Sequence, residues 1–437
     1  MKNGSMKLLI IVALIGLVGI SWYTMFNDVA KLQNEYDSYL STARDNKAEE
    51  LYDEAIDSYL LALNKYDSIE LREEIADYYK SINRTDSYLA FCDETTSEYS
   101  QDARAYVRLA EYYDEIKDYN SCFKILNKAD KKGVSSNRLK EIRTSLQYVF
   151  EYKYMGFETV SVFSNDLCAV KRPNGKWGYV NLLGNTHIGF NYTDAADYTG
   201  QYIAVQLESG EYVLIDSTGR EKSKDSEKKK IEDCLFLFED KMSVKYDGKY
   251  HYCNVEFEKI FGDYDYAGTF SSGFAAVKND GKWFVINAEG EQVSGNFAEI
   301  KVDEKGVAFR NGVAFAQNGD KYILIDTSGN QVGDGEWTDV DCFNSDQPAA
   351  VSNGDRWGFI DTTGKLVIDY IYDRARSFSN GFAAVAIQDK WGYIVVEDYS
   401  LKIEHQFNDA MDFSRSGTAF VKQTDGWDMI KLYSYNQ

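Results

Sequence analysis

The stretch RWGFIDTTG, Arg356 to Gly364, recurs through the second two thirds of the chain, and this recurrence constrains the fold more than any other feature. It returns as GKWGYVNLLG from Gly175, GEYVLIDSTG from Gly210, GKWFVINAEG from Gly281 and DKYILIDTSG from Asp320, with weaker copies around Tyr250, Trp391 and Trp427. The aromatic anchors are Trp177, Tyr212, Tyr250, Trp283, Tyr322, Trp357, Trp391 and Trp427, spaced 35, 38, 33, 39, 35, 34 and 36 residues apart. A second element precedes each anchor, a bulky residue followed at steps of three by a small or aliphatic one and then usually an aromatic. It reads Phe157-Val160-Phe163, Tyr192-Ala195-Tyr198, Ile231-Cys234-Leu237, Tyr264-Ala267-Phe270, Phe297-Ile300-Asp303, Trp337-Val340-Phe343, Tyr372-Ala375-Phe378 and Phe407-Ala410-Phe413. It lies 19 or 20 residues before its anchor except in the fifth module, where the gap is 25. Strand-like runs such as FAAV (274–277 and 382–385), PAAV (348–351) and LCAV (167–170) fill the interval.

Asp361-Thr-Thr-Gly364 sits one residue away from the signature of an aspartic protease, yet its equivalents identify it as a turn. Asp216, Asp326, Asn287 and Asn181 take the first position and Gly219, Gly329, Gly290 and Gly184 the fourth. A type I turn followed by a left-handed residue needs that pattern, and an Asx side chain bonds the turn's own N–H groups. Asparagine cannot serve as the acid or base of a protease, so its free exchange with aspartate favours the turn.

A module of this length ending in a W-G-y-I-D-x-x-G hairpin resembles the WG-repeat family, and the resemblance covers about two thirds of the chain. Glycine follows the anchor only at Gly178, Gly358 and Gly392; Val213, His251, Phe284, Ile323 and Asp428 stand there elsewhere. Eight short all-β modules imply a propeller-like ring of about eight small sheets, with an open β-solenoid as the alternative. A strand near Lys153 to Phe163 is placed to close such a ring. Because the anchors recur at one structural position, they read as core between modules rather than as sugar-stacking platforms.

Residues 36 to 150 carry a different period. YDEAIDSYLLALNKY, Tyr52 to Tyr66, has helical spacing with small residues at Ala55 and Ala62; 67 residues later Tyr119, Cys122, Leu126 and Ala129 replace Tyr52, Ala55, Tyr59 and Ala62. Tyr106, Leu109, Ala110 and Tyr113 supply the preceding helix, and a degenerate copy runs through Ile75, Ala76, Tyr79 and Tyr88. This resembles the tetratricopeptide repeat, whose 34-residue period fits twice into that interval. A closing helix is expected from Ser136 to Phe150, with Ser136 as its N-cap. The resemblance implies a concave peptide-binding face, and the family's groove positions fall on Arg44 and Lys47, then on Arg104, Glu111 and Asp114.

Leu8 to Asn27 carries no charge for twenty residues, enough to span a bilayer core, with Lys2 and Lys7 before it and Trp22 and Tyr23 near its far end. The expectation is an uncleaved single-pass signal anchor in the cell membrane, leaving the bulk of the chain extracytoplasmic; a cleaved signal peptide is the alternative. The domains expected are thus 1–27 stub and transmembrane anchor, 28–150 helical repeats with a capping helix, and 151–437 β-repeats. Cys92, Cys122, Cys168, Cys234, Cys253 and Cys342 are scattered without paired spacing and read as small apolar residues, with a Cys234–Cys253 bridge left open.

The formal net charge of −22 excludes a nucleic-acid partner, which needs a concentrated basic surface; the one basic run, 222 to 230, is interrupted by acids. His187, His251 and His405 lie apart from any ligand-like spacing, no nucleophile or phosphate-binding motif is present, and Asp263-Tyr-Asp265 and Asp339-Val-Asp341 lack the oxygen spacing of a calcium loop. The expectation is therefore a non-catalytic membrane-anchored scaffold, bacterial in composition, with no cofactor and no metal. It would bind a protein or peptide partner, with a cell-wall glycan as a further candidate ligand. The alternative is a carbohydrate-active hydrolase or lyase, since seventy acids can hide a catalytic pair.

Overall fold

The structure is a computed structural model. It describes residues 3–225 and 229–435, without the side chains of residues 3–21, 23, 24, 26, 236–238 and 435. The chain divides into two compact units at Leu146/Gln147. Among the described residues no helix is long and apolar enough to cross a membrane; the span Leu8–Asn27 has nearly all its side chains outside the described set. Residues 226–228 of the basic run and the side chain of Leu237 are outside it too.

The first unit contains seven described helices: α1 (Asn3–Ala48), α2 (Tyr52–Lys65), α3 (Ile69–Ser81), α4 (Thr85–Glu98), α5 (Ala103–Glu115), α6 (Tyr119–Lys131) and α7 (Asn137–Ser145). Helices α3, α5 and α7 begin at intervals of 34 residues. Helical spacing puts Ala105, Tyr106, Leu109 and Ala110 of α5 on one buried face, and Cys122, Phe123, Ile125, Leu126 and Ala129 of α6 on another. Ala55, Ala62, Ala110 and Cys122 are fully buried, so neighbouring helices can approach closely over them. Ser68, Asp102, Asp118 and Ser136 cap α3, α5, α6 and α7, each side-chain oxygen accepting a first-turn N–H. The closing helix stops at Ser145, short of the expected Phe150, because Phe150 pairs with Leu432 in a strand instead.

The second unit is a closed ring of eight antiparallel sheets. Six of them have four strands; the first runs Thr159–Val160, Leu167–Lys171, Trp177–Asn181 and Thr186–Tyr192 in order. The fourth has three and the fifth two, extended by isolated bridges such as Trp283 with Phe297 and Tyr322 with Trp337. The eighth sheet takes its outer strand, Phe150–Phe157, from the start of the unit, where it pairs with Trp427–Leu432. Closure therefore uses a strand earlier than Lys153–Phe163: Thr159–Val160 already belongs to the first sheet.

Packing shows the same closure. Eight apolar clusters fill the eight gaps between neighbouring sheets, including the gap between the eighth and the first, where Met411, Phe420 and Met429 meet Val160, Cys168 and Val180. Each anchor lies in a different cluster, Trp177 between the first and second sheets and so on to Trp427 at the seam. The two repeated sequence elements are partners across strands. Trp177 faces Tyr192, Tyr250 faces Tyr264, Trp357 faces Tyr372, Trp391 faces Phe407 and Trp427 faces Phe157. The small residue of the second element, such as Val160 or Ala195, then lies in the short inner strand of the following sheet.

The residue after the anchor has a geometric role. In the first, sixth and seventh sheets the outer strand bulges opposite it. A Cβ on Gly178, Gly358 or Gly392 would lie 2.9, 2.6 or 2.5 Å from the carbonyl oxygen of Ile188, Ile368 or Ile403. In the third sheet His251 Nδ1 bonds the bulged Gly262 carbonyl at 2.8 Å. At the seam Asp428 Oδ1 accepts from the Met155 and Gly156 N–H groups at 2.6 and 2.9 Å, and Oδ2 from the Tyr152 hydroxyl at 2.6 Å. The second sheet pairs in regular register at Val213 and accepts a side chain there.

The DTTG segment is a turn. Asp361 Oδ1 accepts from the N–H groups of Thr363 and Lys365, and Gly364 has φ +84°. All six cysteines are buried free thiols, Cys234 and Cys253 among them.

Two substitutions should separate these roles in thermal melts of the intact chain. Gly358→Ala forces backbone movement at a close contact and should cost about 2 kcal/mol. Asp428→Ala strands three donors at the seam and should cost about 3 kcal/mol or more.

Candidate functional site

The loops that follow the inner strands meet at the ring centre around a cavity of about 830 Å3. Its lining comes from the first, fifth, sixth, seventh and eighth sheets and is charged on one side by Lys301, Asp341, Arg376 and Asp412. At the position of Lys301, Asp341 and Arg376 the second, third, fourth and eighth sheets carry Ala196, Leu235, Gly268 and Met411; Asp412 stands one residue later, where the second sheet has Asp197. Charge at the ring mouth is therefore densest at the fifth to eighth sheets, and Asp197 continues it onto the second.

The extra residues of the fifth module, which stretch its gap to 25, form a segment over this mouth. Its backbone is held by the fourth sheet: the Thr269 N–H bonds the Gly306 carbonyl at 2.8 Å and the Thr269 hydroxyl bonds the Lys305 carbonyl at 2.5 Å. Asp303 organises the tip, accepting from the Lys305 and Val307 N–H groups at 2.8 and 2.9 Å and from Arg310 at 3.2 Å. Glu304 and Lys305 are thereby brought into the field of Asp197 on the second sheet and Asp412 on the eighth.

Three carboxyls face this charge, Asp197 buried and Asp341 and Asp412 half-buried at the cavity wall. Burial pushes Asp412 up to about 7, against the pull of Arg376. Asp197 is raised to about 6 by burial, against Lys305 and a hydrogen bond from Ser161. Asp341 is raised by burial despite the Ser377 N–H at 2.7 Å. Burial works against the Arg376 charge, yet Asp412, Asp409, Glu304 and Asp341 hold its pKa above the usual range. Arg376 Nε is buried without a hydrogen-bond partner, and its terminal nitrogens stand 3.8 Å from Glu304 and 3.9 Å from Asp409, beyond hydrogen-bonding length.

In the helical unit a groove of about 540 Å3 on α3, α5 and α7 is lined by Arg104 and Glu111. Arg104 bonds Asp102 and Glu70, and Glu111 accepts from Arg138 at 2.6 Å. Arg44 forms a two-bond pair with Glu74 at 2.9 and 2.8 Å, and the Lys47 ammonium sits 5.3 Å over the Tyr78 ring. Asp114 is half-buried on α5, where its charge acts on Cys122 of α6. Arg108 with Asp77 and Lys80 with Glu115 extend this ladder, so most of its charges are already paired within the fold.

The central cavity was not among the sites expected from sequence; the signal that marks it is the long fifth gap. Asp263 is paired with Lys259, Asp265 with Lys249, and Asp339 stands 3.7 Å from Lys301. Among the described residues no group of three His, Cys, Asp or Glu side chains is placed to hold a metal ion.

Four segments, residues 177–210, 261–283, 357–391 and 400–427, match the family model of the WG containing repeat. No curated protein matches the chain in sequence. Similar solved structures include BamB from Moraxella catarrhalis, 12% identical over 64% of this chain and 99% of that one, with a TM-score of 0.45. Hsv2p of Kluyveromyces lactis is 12% identical over 57% and 98%, with a TM-score of 0.38. The β-propeller domain of Myceliophteria thermophila Cps50 (Swd1) is 12% identical over 64% and 98%, with a TM-score of 0.35. No activity, ligand or partner is carried over from likeness at this level.

A carboxyl whose folded pKa is raised binds more protons in the folded state than in the unfolded chain, so stability falls as pH rises between the two values. For Asp412 that window runs from its ordinary 3.8 to about 7. Asp412→Asn should therefore raise the ring's melting temperature at pH 8 by about 2–4 °C more than at pH 4. An equal effect at both would show that its carboxyl is not strained in the fold.

Proposed function

We propose that the chain is a non-catalytic binding scaffold anchored in the cell membrane through Leu8–Asn27, with the bulk of the chain extracytoplasmic. Helices of the tetratricopeptide kind would stand next to the membrane and engage a protein or peptide. The WG ring would carry a second ligand, a folded protein or a cell-wall glycan. The observation that carries this reading is the ring's division of labour. Its eight anchors pack one to each gap between sheets, and the modules differ in their loops and in the charged lining at the centre. A rigid frame with variable loops is suited to binding. The net charge of −22 argues against nucleic acid as the ligand.

A carbohydrate-active hydrolase or lyase is the second reading, favoured by one observation. Asp412, pushed up to about 7 beside the charged groups of the cavity, would hold a proton at neutral pH as a general acid must.

Protease added to intact protoplasts should degrade both units, while purified protein should leave chromogenic glycosides and cell-wall glycans intact. Protection of the chain overturns the orientation. Turnover that disappears in Asp412→Asn overturns the scaffold reading in favour of the hydrolase.

A further inference from the structure

We propose that the central cavity of the ring is a binding site for a small monocarboxylate that also carries hydroxyl or ammonium donors, with Arg376 and Lys305 taking the carboxylate. This goes beyond the scaffold reading, since it concerns a small molecule in the ring centre rather than a partner on the loops. Four observations lead to it.

The first is size. About 830 Å3 lies within the range of sites that enclose a small molecule. The second is unmet donor capacity. Buried guanidinium groups in folded proteins are hydrogen-bonded, because desolvating a charge without partners is costly. The Arg376 side chain, 29% exposed towards the cavity, makes no hydrogen bond among the described residues, and its Nε is buried without one. Lys305 lines the same cavity with no ion-pair partner within 4 Å among the described residues. A planar carboxylate fits the guanidinium fork with two parallel bonds.

The third observation sets the charge of the ligand. Five acids, Asp166, Asp303, Glu304, Asp341 and Asp412, share the lining with five cations, Lys301, Lys305, Arg310, Arg376 and Arg415. A lining so balanced has no net positive charge to set against a dianion such as phosphate, whereas one negative charge can be met locally by Arg376 and Lys305. The fourth concerns the remainder of the ligand. Asp412 and Asp341 each commit one oxygen, to Asn344 Nδ2 at 3.0 Å and to the Ser377 N–H at 2.7 Å. Their other oxygens accept no hydrogen bond among the described residues. Hydroxyl groups of a sugar acid or the ammonium of an amino acid would supply the missing donors. Phe163 and Phe413 add apolar wall beside them.

The fifth-module segment gives the site its specificity, because it carries Lys305 and Glu304 and no other module has its equivalent. A ligand held at Arg376 is thus read from above by residues that the eightfold pattern does not supply.

Sodium glucuronate, glycine and sodium phosphate are titrated calorimetrically into the full-length chain in detergent. Glucuronate or glycine should saturate at one site per chain, and phosphate should bind more weakly than the better of the two. Preference for glucuronate identifies a sugar acid, and preference for glycine an amino acid. Arg376→Gln should weaken binding about tenfold or more and Lys305→Gln about threefold, as loss of charge-assisted hydrogen bonds requires. Lys305 lies on the surface segment, so its variant keeps the test open should Arg376→Gln fail to fold. Absence of saturable binding by both carboxylates overturns the proposal. So does phosphate binding tighter than either, or unchanged affinity in a folded Lys305→Gln or Arg376→Gln variant.

Discussion

A ring has no free edge only if its first and last strands meet, and here the ladder from Phe150↔Leu432 to Phe157↔Trp427 makes that meeting while one carboxylate holds the irregular stretch within it. Asp428 is buried and joins the outer strand through two backbone N–H groups and the Tyr152 hydroxyl. The residues it binds lie more than 270 positions earlier in the chain. Until these bonds form, the eighth sheet exposes an unpaired edge and the cluster of Phe157, Val160, Met411 and Phe420 is open to water. Charge-assisted bonds to backbone are among the stronger hydrogen bonds available to a protein. Placing one at the single long-range junction makes closure a specific event rather than a continuation of the stacking that precedes it.

The same position explains why glycine follows the anchor in some modules and other residues do so elsewhere. Gly178, Gly358 and Gly392 lie where an outer-strand carbonyl leaves no room for a Cβ. His251 and Asp428 occupy comparable positions by bonding the bulged backbone, the one through a carbonyl and the other through N–H groups. Phe284 and Ile323 stand in the two sheets whose outer strand is reduced to isolated bridges. The tyrosine anchors make a bond that a tryptophan cannot. The hydroxyls of Tyr212 and Tyr250 donate to Asp194 and Asp233 in the inner strand of the same sheet, and that of Tyr322 to Glu299 beside the Ile300–Ala316 bridge, at 2.6 to 2.8 Å. An indole at these positions would leave the acid without that donor.

Much of this frame was legible because each module repeats the same local problem. The anchors, the paired second element and the Asx turns recur in sequence, and recurrence reveals them even where one copy is degenerate. What was not legible depends on contacts that do not repeat. Phe150 has the apolar character of a helix end, and only its pairing with Leu432 assigns it to a strand. Asp428 looked like a lapse from glycine, because its partners are distant in sequence. The cavity carries no motif at all: its charged residues sit in five separate loops, and the one local trace is a gap of 25 where the others have 19 or 20.

The helical groove and the ring centre differ in how their charges are used. Arg44, Arg104 and Glu111 each have a partner on an adjacent helix, at 2.8, 2.9 and 2.6 Å. Exposed pairs of this kind contribute about 0–1 kcal/mol each, so they are weak as stabilisers. They nevertheless change what a peptide must do. A ligand carboxylate arriving at Arg104 displaces Asp102 or Glu70 and exchanges one ion pair for another, which gives little net electrostatic gain. Affinity in that groove then depends on apolar contact, with Val107, Tyr88 and Tyr112 lining it between the charges. At the ring centre Arg376 has only the longer contacts to Glu304 and Asp409, at 3.8 and 3.9 Å, and Lys305 has no ion pair within 4 Å among the described residues, so a bond made to them displaces no hydrogen-bonded protein carboxylate. Named by residue type alone, the two sites look alike; the state of their hydrogen bonds distinguishes a surface that orients a partner from one that holds an anion.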